Sequence, residues 1–396
     1  MNTSFATELA ELHLQQLSEA IAQASSADVE RALRLATTKA PVLQDRDLVA
    51  LISPAAIPYL ETVAQCASRL TRRRFGRTMQ LYAPIYLSNE CVNRCTYCGF
   101  SQELAIRRAT LDIHEVLAEG EALRTRGFRH LLLVSGEVPR LTNAAYVEKV
   151  VRALAPRFDS LSIETGTFDA ADYARLARAG VDGLTLYQET YSPVVYRRVH
   201  LAGPKCRYAT RIAALEDAGD AGFRTLGIGA LLGLAPFRLE ALLLALHGRY
   251  LSRRFWRSKI AISFPRIRAT VGGFAAPHPV SDRDLVQMIC TLRLALPDAD
   301  LVLSTREPPA LRDAMLTLGI TRMSAGSQTN PGGYCQETST EEESRTGKQF
   351  QVEDLRSAHE VAAQIAARGL DPVWKDFDRA LVGGATFDAG AASPSR

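Results

Sequence analysis

The 396-residue sequence has no run approaching the ~18 consecutive apolar residues of a membrane span. Its start, MNTSFATELAELHLQQ, carries acids where a secretory signal needs a basic segment and a continuous apolar core, so a cytoplasmic chain is expected. Charge of one sign is scarce too: 47 Lys and Arg against 43 Asp and Glu leave +4, too slight to demand a nucleic-acid partner. Solenoid-type repeats are missing. Hydrophobic residues make up 47% and charged ones 23%, which excludes wholesale disorder, collagen and coiled coil. The length suits about two to three domains of ~150 residues, or one α/β barrel with extensions.

Also lacking is a disulfide framework. The seven cysteines are odd in number and sit at Cys66, Cys91, Cys95, Cys98, Cys206, Cys290 and Cys335. In a reducing compartment, clustered thiols point to a metal or to catalysis. Scattered at random, seven cysteines would give the spacing of Cys91, Cys95 and Cys98 in only about two chains per thousand. Three thiolates so close can each hold one iron of a cubane cluster and leave the fourth iron open. Zinc is the rival metal, but a structural zinc wants four ligands, and the sequence offers no second Cys-x-x-Cys or nearby histidine. Spacings of four and three also describe one face of a buried helix. Against a helix stand the flanking Ser88, Asn89 and Glu90, the internal Asn93 and Arg94, and the breaking Gly99.

From about residue 80 to 325, short β-rich segments alternate with amphipathic stretches. The strands are expected at 80–87, 130–134, 160–164, 183–187, 225–229, 260–264, 301–304 and 320–323. Helices are expected at 113–126, 144–154, 170–179, 208–221, 281–296 and 308–318. Eight strands in βα order fit a (β/α)₈ TIM barrel better than the alternative, a doubly wound Rossmann-type sheet. The expected organisation is a helical N-terminal extension over 1–75, with Ser26 capping a helix from Ala27, and then the barrel over 76–328. A C-terminal loop and helix extension over 329–388 and a disordered tail over 389–396 complete it. The polar stretch from Thr338 to Lys348 is read as a mobile loop, and the helix after it is expected to present Leu355, Ala358, Ala362 and Ile365 on one face. The runs Arg72 to Arg74 and Arg253–Arg254 are read as solvated helix faces.

The three-and-two spacing, with aromatic Tyr97 before the last cysteine, resembles the signature of the radical S-adenosylmethionine (SAM) superfamily. That resemblance implies a radical SAM-type barrel in which Cys91, Cys95 and Cys98 hold a [4Fe–4S] cluster and SAM binds the open iron. By the same resemblance Gly136 and Glu137 of the turn Ser135-Gly136-Glu137 meet the SAM amino group, and Glu164 meets its ribose. Arg211 pairs with its carboxylate unless it is a solvated helix residue, Gly229 lies in the strand that stacks adenine, and Tyr97 forms a wall against SAM. The stretches YLSNECVNRCTYCGF, LYQETY, HLAGPK, GIGALLGL, SFPRIR, LSTRE, SAGS, PGGY and DPVWKDFD narrow the resemblance to the aromatic amino acid lyases, over residues 45–378.

What this implies is cleavage of the Cα–Cβ bond of L-tyrosine to 2-iminoacetate and 4-cresol, for thiamine thiazole biosynthesis, with SAM split to methionine and 5′-deoxyadenosine. Implied partners are thiazole synthase and a reductant such as flavodoxin or ferredoxin. Arg306 is the candidate clamp for the substrate carboxylate, with Ser324 or Ser327 adding a hydrogen bond. Gln188 and Glu189, with Arg266 and Arg268, either serve the substrate or form a salt-bridge belt at the mouth. His200 and Trp374 are read as packing residues. The rival lyases act on tryptophan, or on tyrosine for hydrogenase maturation or deazaflavin synthesis. A hydrogenase-type enzyme would need a second cysteine motif, whereas only Cys335 follows Cys290. A non-catalytic iron–sulfur scaffold for thiazole synthase is the reading from another class.

Overall fold

The computed structural model describes residues 4–38, 41–335 and 347–375. Eight strands form a closed parallel ring: β1 (Thr78–Ser88), β2 (His130–Ser135), β3 (Ser160–Glu164), β4 (Gly183–Thr185), β5 (Thr225–Gly229), β6 (Lys259–Ser263), β7 (Asp300–Leu303) and β8 (Arg322–Ser324). β1 closes the ring, pairing Gln80–Tyr82 with β8 and Ala83–Ser88 with β2. An open doubly wound sheet would leave two free edges, so this closure excludes it. A short ninth strand, β9 (Asp371–Val373), pairs in parallel with Thr78–Gln80 at the start of β1.

Successive strand residues point to opposite faces, and the sequence uses that alternation to separate two environments. Leu81, Ala83, Ile85 and Leu87 of β1 face the helices, as do Leu131 and Leu133, Leu161 and Ile163, Leu226 and Ile228, and Ile260 and Ile262 of later strands. The intervening Tyr82, Tyr86, Leu132, Val134, Ala261 and Val302 pack into a second, inner cluster. Glu164, Ser263, Ser304 and Ser324 share that inner parity and line the barrel lumen beside Tyr82 and Tyr86. The outer face supplies the apolar burial that holds the fold, which leaves the inner face free to be polar.

Helices start where a side chain satisfies the first N–H groups. Asp112 and Glu115 form a capping box before Ile113–Thr125, Asn143 caps Ala144–Leu154, and Ser281 with Asp284 opens Asp282–Ala295. Several expected boundaries move. The cap near residue 26 is Ser25, not Ser26: Ser25 exchanges hydrogen bonds with Asp28, whereas Ser26 has Val29 three residues on and no partner for such a box. Leu355 is 83% exposed and lies outside the helix Ala358–Ala367, whose buried residues are Ala358, Val361 and Ile365. The last barrel strand starts two residues and ends one residue later than expected, and the ladder of β4 ends at Thr185. Phe237–Arg254 and Pro193–Val199 are helices the apolar spacing did not single out. In the former, Ala241 to Ala245 are all buried, so no stripe stands out. Arg254 is not simply solvated, since it pairs with Glu216 and Asp220; Arg72, Arg73 and Arg74 are exposed. Most of the expected mobile loop, 338–346, and the tail lie outside the described residues. Among the described residues, no single helix is long and apolar enough to cross a membrane.

The N-terminal helices dock on the barrel through polar as well as apolar contacts. Gln287 donates to the carbonyls of Leu51 and Ser53, both at 2.9 Å. Phe5 stacks on His247 at 4.1 Å between ring centroids, its N–H donates to Glu216 at 2.9 Å, and His247 Nδ1 lies 2.8 Å from the Tyr191 hydroxyl. Burial pushes the His247 imidazole down to about 3. A depressed folded pKa means stability that is complete above the unfolded value near 6.5 and lost as pH falls toward 3, because only the unfolded chain takes up the proton. One pH unit below 6.5 the loss is about 1.4 kcal/mol. Urea unfolding at pH 7.5 and 5.5 should therefore show a smaller acid penalty in His247→Phe than in the wild type, by about that amount.

Candidate active site

The segment after β1 is pinned across the barrel mouth by its own polar side chains. Asn89 donates to the Arg107 carbonyl (2.7 Å) and accepts from the Ala109 N–H (2.7 Å), while the Arg108 guanidinium gathers the carbonyls of Asn89, Phe100, Ser101 and Leu104. The backbone then forms a ribbon: Val92 N–H donates to Glu137, Arg94 N–H to Ala202, and Thr96 N–H to Val199. No helix forms here. The three cysteines instead line one recess together with Ser135, Gly136, Glu137, Glu164, Glu189 and Arg211.

The recess fits an iron–sulfur cluster in its donor set, three thiols on one wall. Burial pushes the Cys95 thiol up to about 12, against the pull of Lys205 and with the push of Cys98 and Cys91; burial raises Cys98 likewise. Such thiols keep their protons until a metal replaces them. The buried Ser135 hydroxyl faces the recess without a partner. A side chain at Gly136 would strike the Glu90 carbonyl and crowd Cys91, and one at Gly166 would strike Glu137, so both walls need glycine.

Glu137 and Glu189 on the recess wall are both held by partners. Asn93 fixes Glu137 (Nδ2 to Oε2, 2.7 Å), accepts from the Lys205 N–H (2.9 Å) and points Nδ2 at Cys91 Sγ (3.6 Å). Lys205 donates to Glu189 at 2.6 Å, with Arg211 at 3.8 Å from the same oxygen. Burial alone would raise Glu189, but Lys205 and Arg211 outweigh it and hold the carboxyl below its ordinary range. Glu189 has φ of 68°, alone among the described non-glycine residues in the left-handed region. Arg211 is buried, not solvated, and also donates to the Tyr187 carbonyl at 2.6 Å. Tyr97 is buried against His200. Burial and Lys205 push the His200 imidazole down to about 3, so its Nδ1–H donates to the Tyr196 carbonyl (2.9 Å) and its Nε2 accepts from the Tyr97 hydroxyl (2.8 Å).

Below the recess lies the lumen. Arg306 and Ser324 line it with Ser327, Tyr82, Tyr86 and Tyr187. Arg306 makes no ion pair among the described residues, Ser327 has a buried hydroxyl without a partner, and the Ser324 hydroxyl accepts from the Thr305 N–H at 3.1 Å. Glu164, Tyr187 and Gln349 border both spaces and the gap between them. Burial pushes the Glu164 carboxyl up to about 7, against Arg306 and with Glu189. Gln188 is buried with its Nε2 unpaired and lines neither space. Gly229 gives its free flank to Tyr187 of the same chain, 2.5 Å from where a Cβ would stand. Arg266 is held by Glu307 and Asp282, and Arg268 shares Glu307, which is the salt-bridge belt. Trp374 packs on Phe128. The residues that sequence reasoning passed over are Asn93, Lys205, Gln349 and Phe350. Lys205 sat in the quoted HLAGPK, and an aromatic ending a polar stretch was the signal for Phe350.

Comparison with known proteins follows the same lines. Residues 85–244 match the Radical SAM superfamily and residues 263–371 the Biotin and Thiamin Synthesis associated domain. The chain is 43% identical over 358 residues to 2-iminoacetate synthase of Escherichia coli (strain K12), covering 90% of this chain and 92% of that one. It is 42% identical to the Salmonella typhimurium protein of the same name, covering 89% and 91%. The X-ray structure of the FeFe-hydrogenase maturase HydG from Carboxydothermus hydrogenoformans superposes with a TM-score of 0.86 at 30% identity, covering 94% of this chain and 86% of that one.

Glu189 and Lys205 are both nearly buried, so removing one strands the other. Lys205→Met should destabilise the protein by about 3 kcal/mol, and Lys205→Met with Glu189→Gln should recover more than half of that. Urea denaturation of the three proteins gives the comparison.

Proposed function

Because this chain belongs to the 2-iminoacetate synthase family of the radical SAM superfamily, we propose that it cleaves L-tyrosine between Cα and Cβ to 2-iminoacetate and 4-cresol, in thiamine biosynthesis. It is a lyase that uses a [4Fe–4S] cluster and SAM. The observation that carries the tyrosine reading is the lumen beneath the cysteine recess, whose Arg306 cation has no ion-pair partner among the described residues.

When bound, the cluster and SAM would supply the radical chemistry that removes a hydrogen atom from the substrate. The chain's own residues bind, orient and shield. Cys91, Cys95 and Cys98 would hold the cluster, and Glu137, Glu164, Arg211 and Tyr97 line the space beside them where SAM would bind. Gly136 leaves room for the backbone to approach, which a side chain there would deny. Arg306 takes the tyrosine carboxylate through two parallel N–H bonds, and Ser324 or Ser327 adds a hydroxyl. The lumen walls Tyr82, Tyr86 and Tyr187 exclude water and stray C–H bonds from a reactive radical. Glu164, its carboxyl raised by burial to about 7, holds a proton at the gap between the two spaces more readily than an exposed carboxylate. Glu189, kept ionised by Lys205, orients its surroundings without giving up its charge.

The product 2-iminoacetate hydrolyses readily, which supports direct transfer to thiazole synthase. A cytoplasmic reductant such as flavodoxin or ferredoxin would load the cluster with its electron.

Anaerobic incubation of reconstituted protein with SAM, dithionite and tyrosine should yield 4-cresol and 5′-deoxyadenosine, while tryptophan should yield no cresol; mass spectrometry without 4-cresol from tyrosine rejects the reading. Replacing Cys91, Cys95 and Cys98 by Ala should abolish iron loading. Arg306→Lys keeps the charge but loses the paired donors, and should raise the KM for tyrosine about tenfold or more.

A further inference from the structure

The segment from Gly347 to Asp354 lies far along the chain from the cysteines, yet it runs across the barrel mouth and is tied to four separate loops. Asn89 donates to the Gly347 carbonyl (3.3 Å) and Gly99 N–H to the Gln349 carbonyl (3.1 Å). Gln349 N–H donates to Thr329 (3.0 Å), whose hydroxyl returns a bond to the Phe350 carbonyl (3.0 Å). Gln351 N–H donates to Ala269 (3.2 Å), and the N–H groups of Glu353 and Asp354 share the Thr305 carbonyl (3.0 and 3.2 Å). These partners follow β1, β8, β6 and β7 respectively. Gly99 has no room for a side chain because the carbonyls of Lys348 and Gln349 press on it. At the far end the fully buried Asp354 pairs with the fully buried Arg312, whose other nitrogen donates to the Ser324 carbonyl. A segment with this many backbone bonds and a buried ion pair is a fixed part of the barrel mouth.

Two of its side chains enter the site. The Phe350 ring lies under the Arg306 guanidinium, 3.3 Å from its carbon to the ring centroid, and this stacking is what the described residues offer to set the plane of that cation. Gln349 borders the lumen, the cysteine recess and the gap between them, and its Oε1 accepts from the Tyr86 hydroxyl at 2.8 Å, which leaves one lone pair for another donor. In an α-amino acid the carboxylate and the amino group sit on one carbon. A carboxylate clamped by Arg306 therefore keeps its amino nitrogen within the spaces that Gln349 also lines. A neutral amide receives that nitrogen without fixing it as a charged ammonium, which a carboxylate at the same place would do.

We propose that Gly347–Asp354 is the roof of the substrate chamber, in which Phe350 positions Arg306 for the substrate carboxylate and Gln349 receives the substrate amino group beside the cysteine recess. This assigns amino-acid selectivity to a C-terminal strap as well as to the barrel, and it rests on the lyase reading above. Holding the amino group at the gap couples the two halves of the reaction. Without it, SAM is consumed without tyrosine being cleaved.

The test uses the reconstituted full chain and three variants, Phe350→Leu, Phe350→Tyr and Gln349→Ala, with circular dichroism and iron content confirming that each is folded and loaded. Tyrosine binding by calorimetry, KM, kcat and the ratio of 5′-deoxyadenosine to 4-cresol are measured. Loss of the stacked ring in Phe350→Leu should weaken tyrosine binding and raise KM about five- to tenfold with kcat near the wild-type value, while Phe350→Tyr, which keeps the ring, stays near wild type. Gln349→Ala should weaken tyrosine binding about two- to fivefold and raise the 5′-deoxyadenosine to 4-cresol ratio about fivefold. Wild-type binding and ratio in folded Phe350→Leu and Gln349→Ala, or equal impairment in Phe350→Tyr and Phe350→Leu, overturn the roof alone. A wild-type protein that forms no 4-cresol overturns the lyase reading and the roof with it.

Discussion

Closing eight parallel strands into a ring forces every second side chain into one enclosed space, and the chemistry of this protein depends on that constraint. The outward row must be apolar, because helices cover it: Leu131, Leu133, Leu226, Ile228, Ile260 and Ile262 all comply. The inward row is released from that duty. Tyr82, Tyr86, Glu164, Ser263, Ser304 and Ser324 collect there, although they are scattered over more than 240 positions of sequence. A one-residue slip in any strand would exchange the two rows and put a carboxylate or serine against the helices. The stability of the shell and the composition of the site are therefore one property of the strand register.

Burying so many polar groups demands compensation, and the compensation is also what orients them. Glu189 would be driven toward its neutral form if left alone; Lys205 and Arg211 keep it ionised and thereby draw the loop after β4 and the following helix toward the cysteine ribbon. Asn93 does the same with neutral bonds, linking the ribbon to Glu137 on one side and to the Lys205 backbone on the other. Arg108 satisfies four carbonyls of the ribbon and its continuation with a single guanidinium, so a stretch with no helix or sheet of its own still has its backbone groups paired. Arg306 is different. It stacks on Phe350 but has no carboxylate partner among the described residues, a cation held ready while neighbouring Glu189 and Glu307 are paired with Lys205 and Arg266.

The barrel was legible because strand parity and capping residues are local. Ser160–Glu164 and Ala144–Leu154 fall where period and caps put them. The errors have local causes as well. Ser25 and Ser26 are both good caps, and only the acid three residues on, Asp28, decides between them. Phe237–Arg254 hid because a helix buried on several sides loses its stripe. The three cysteines were visible by spacing alone. Lys205, Gln349 and Phe350 were not, since their roles depend on which distant loops meet at the mouth, and nothing in a polar stretch says that its end will lie against Gly99. Gly229 shows the converse. A glycine at the end of a strand suggested that something comes close to it, and within the chain the ring of Tyr187 does so.

The two ends of the substrate chamber come from opposite parts of the chain, and this bears on how the site assembles. The cysteine ribbon follows β1, while the strap that covers it follows β8, and β1 and β8 are the strands whose pairing closes the ring. Ribbon and strap therefore meet only when the barrel is closed, and Gly99 against the Lys348 and Gln349 carbonyls is their point of contact. β9 adds a second tie at the other end of β1, where Asp371–Val373 pairs with Thr78–Gln80. Between the two, Asp354 and Arg312 form a fully buried ion pair, an arrangement whose desolvation cost is recovered only when the geometry is complete. A partly closed barrel would leave that pair unformed, Phe350 away from Arg306 and the cysteines uncovered. The same closure that separates apolar from polar rows thus completes the roof, so a reactive site is finished only in a chain that has finished folding.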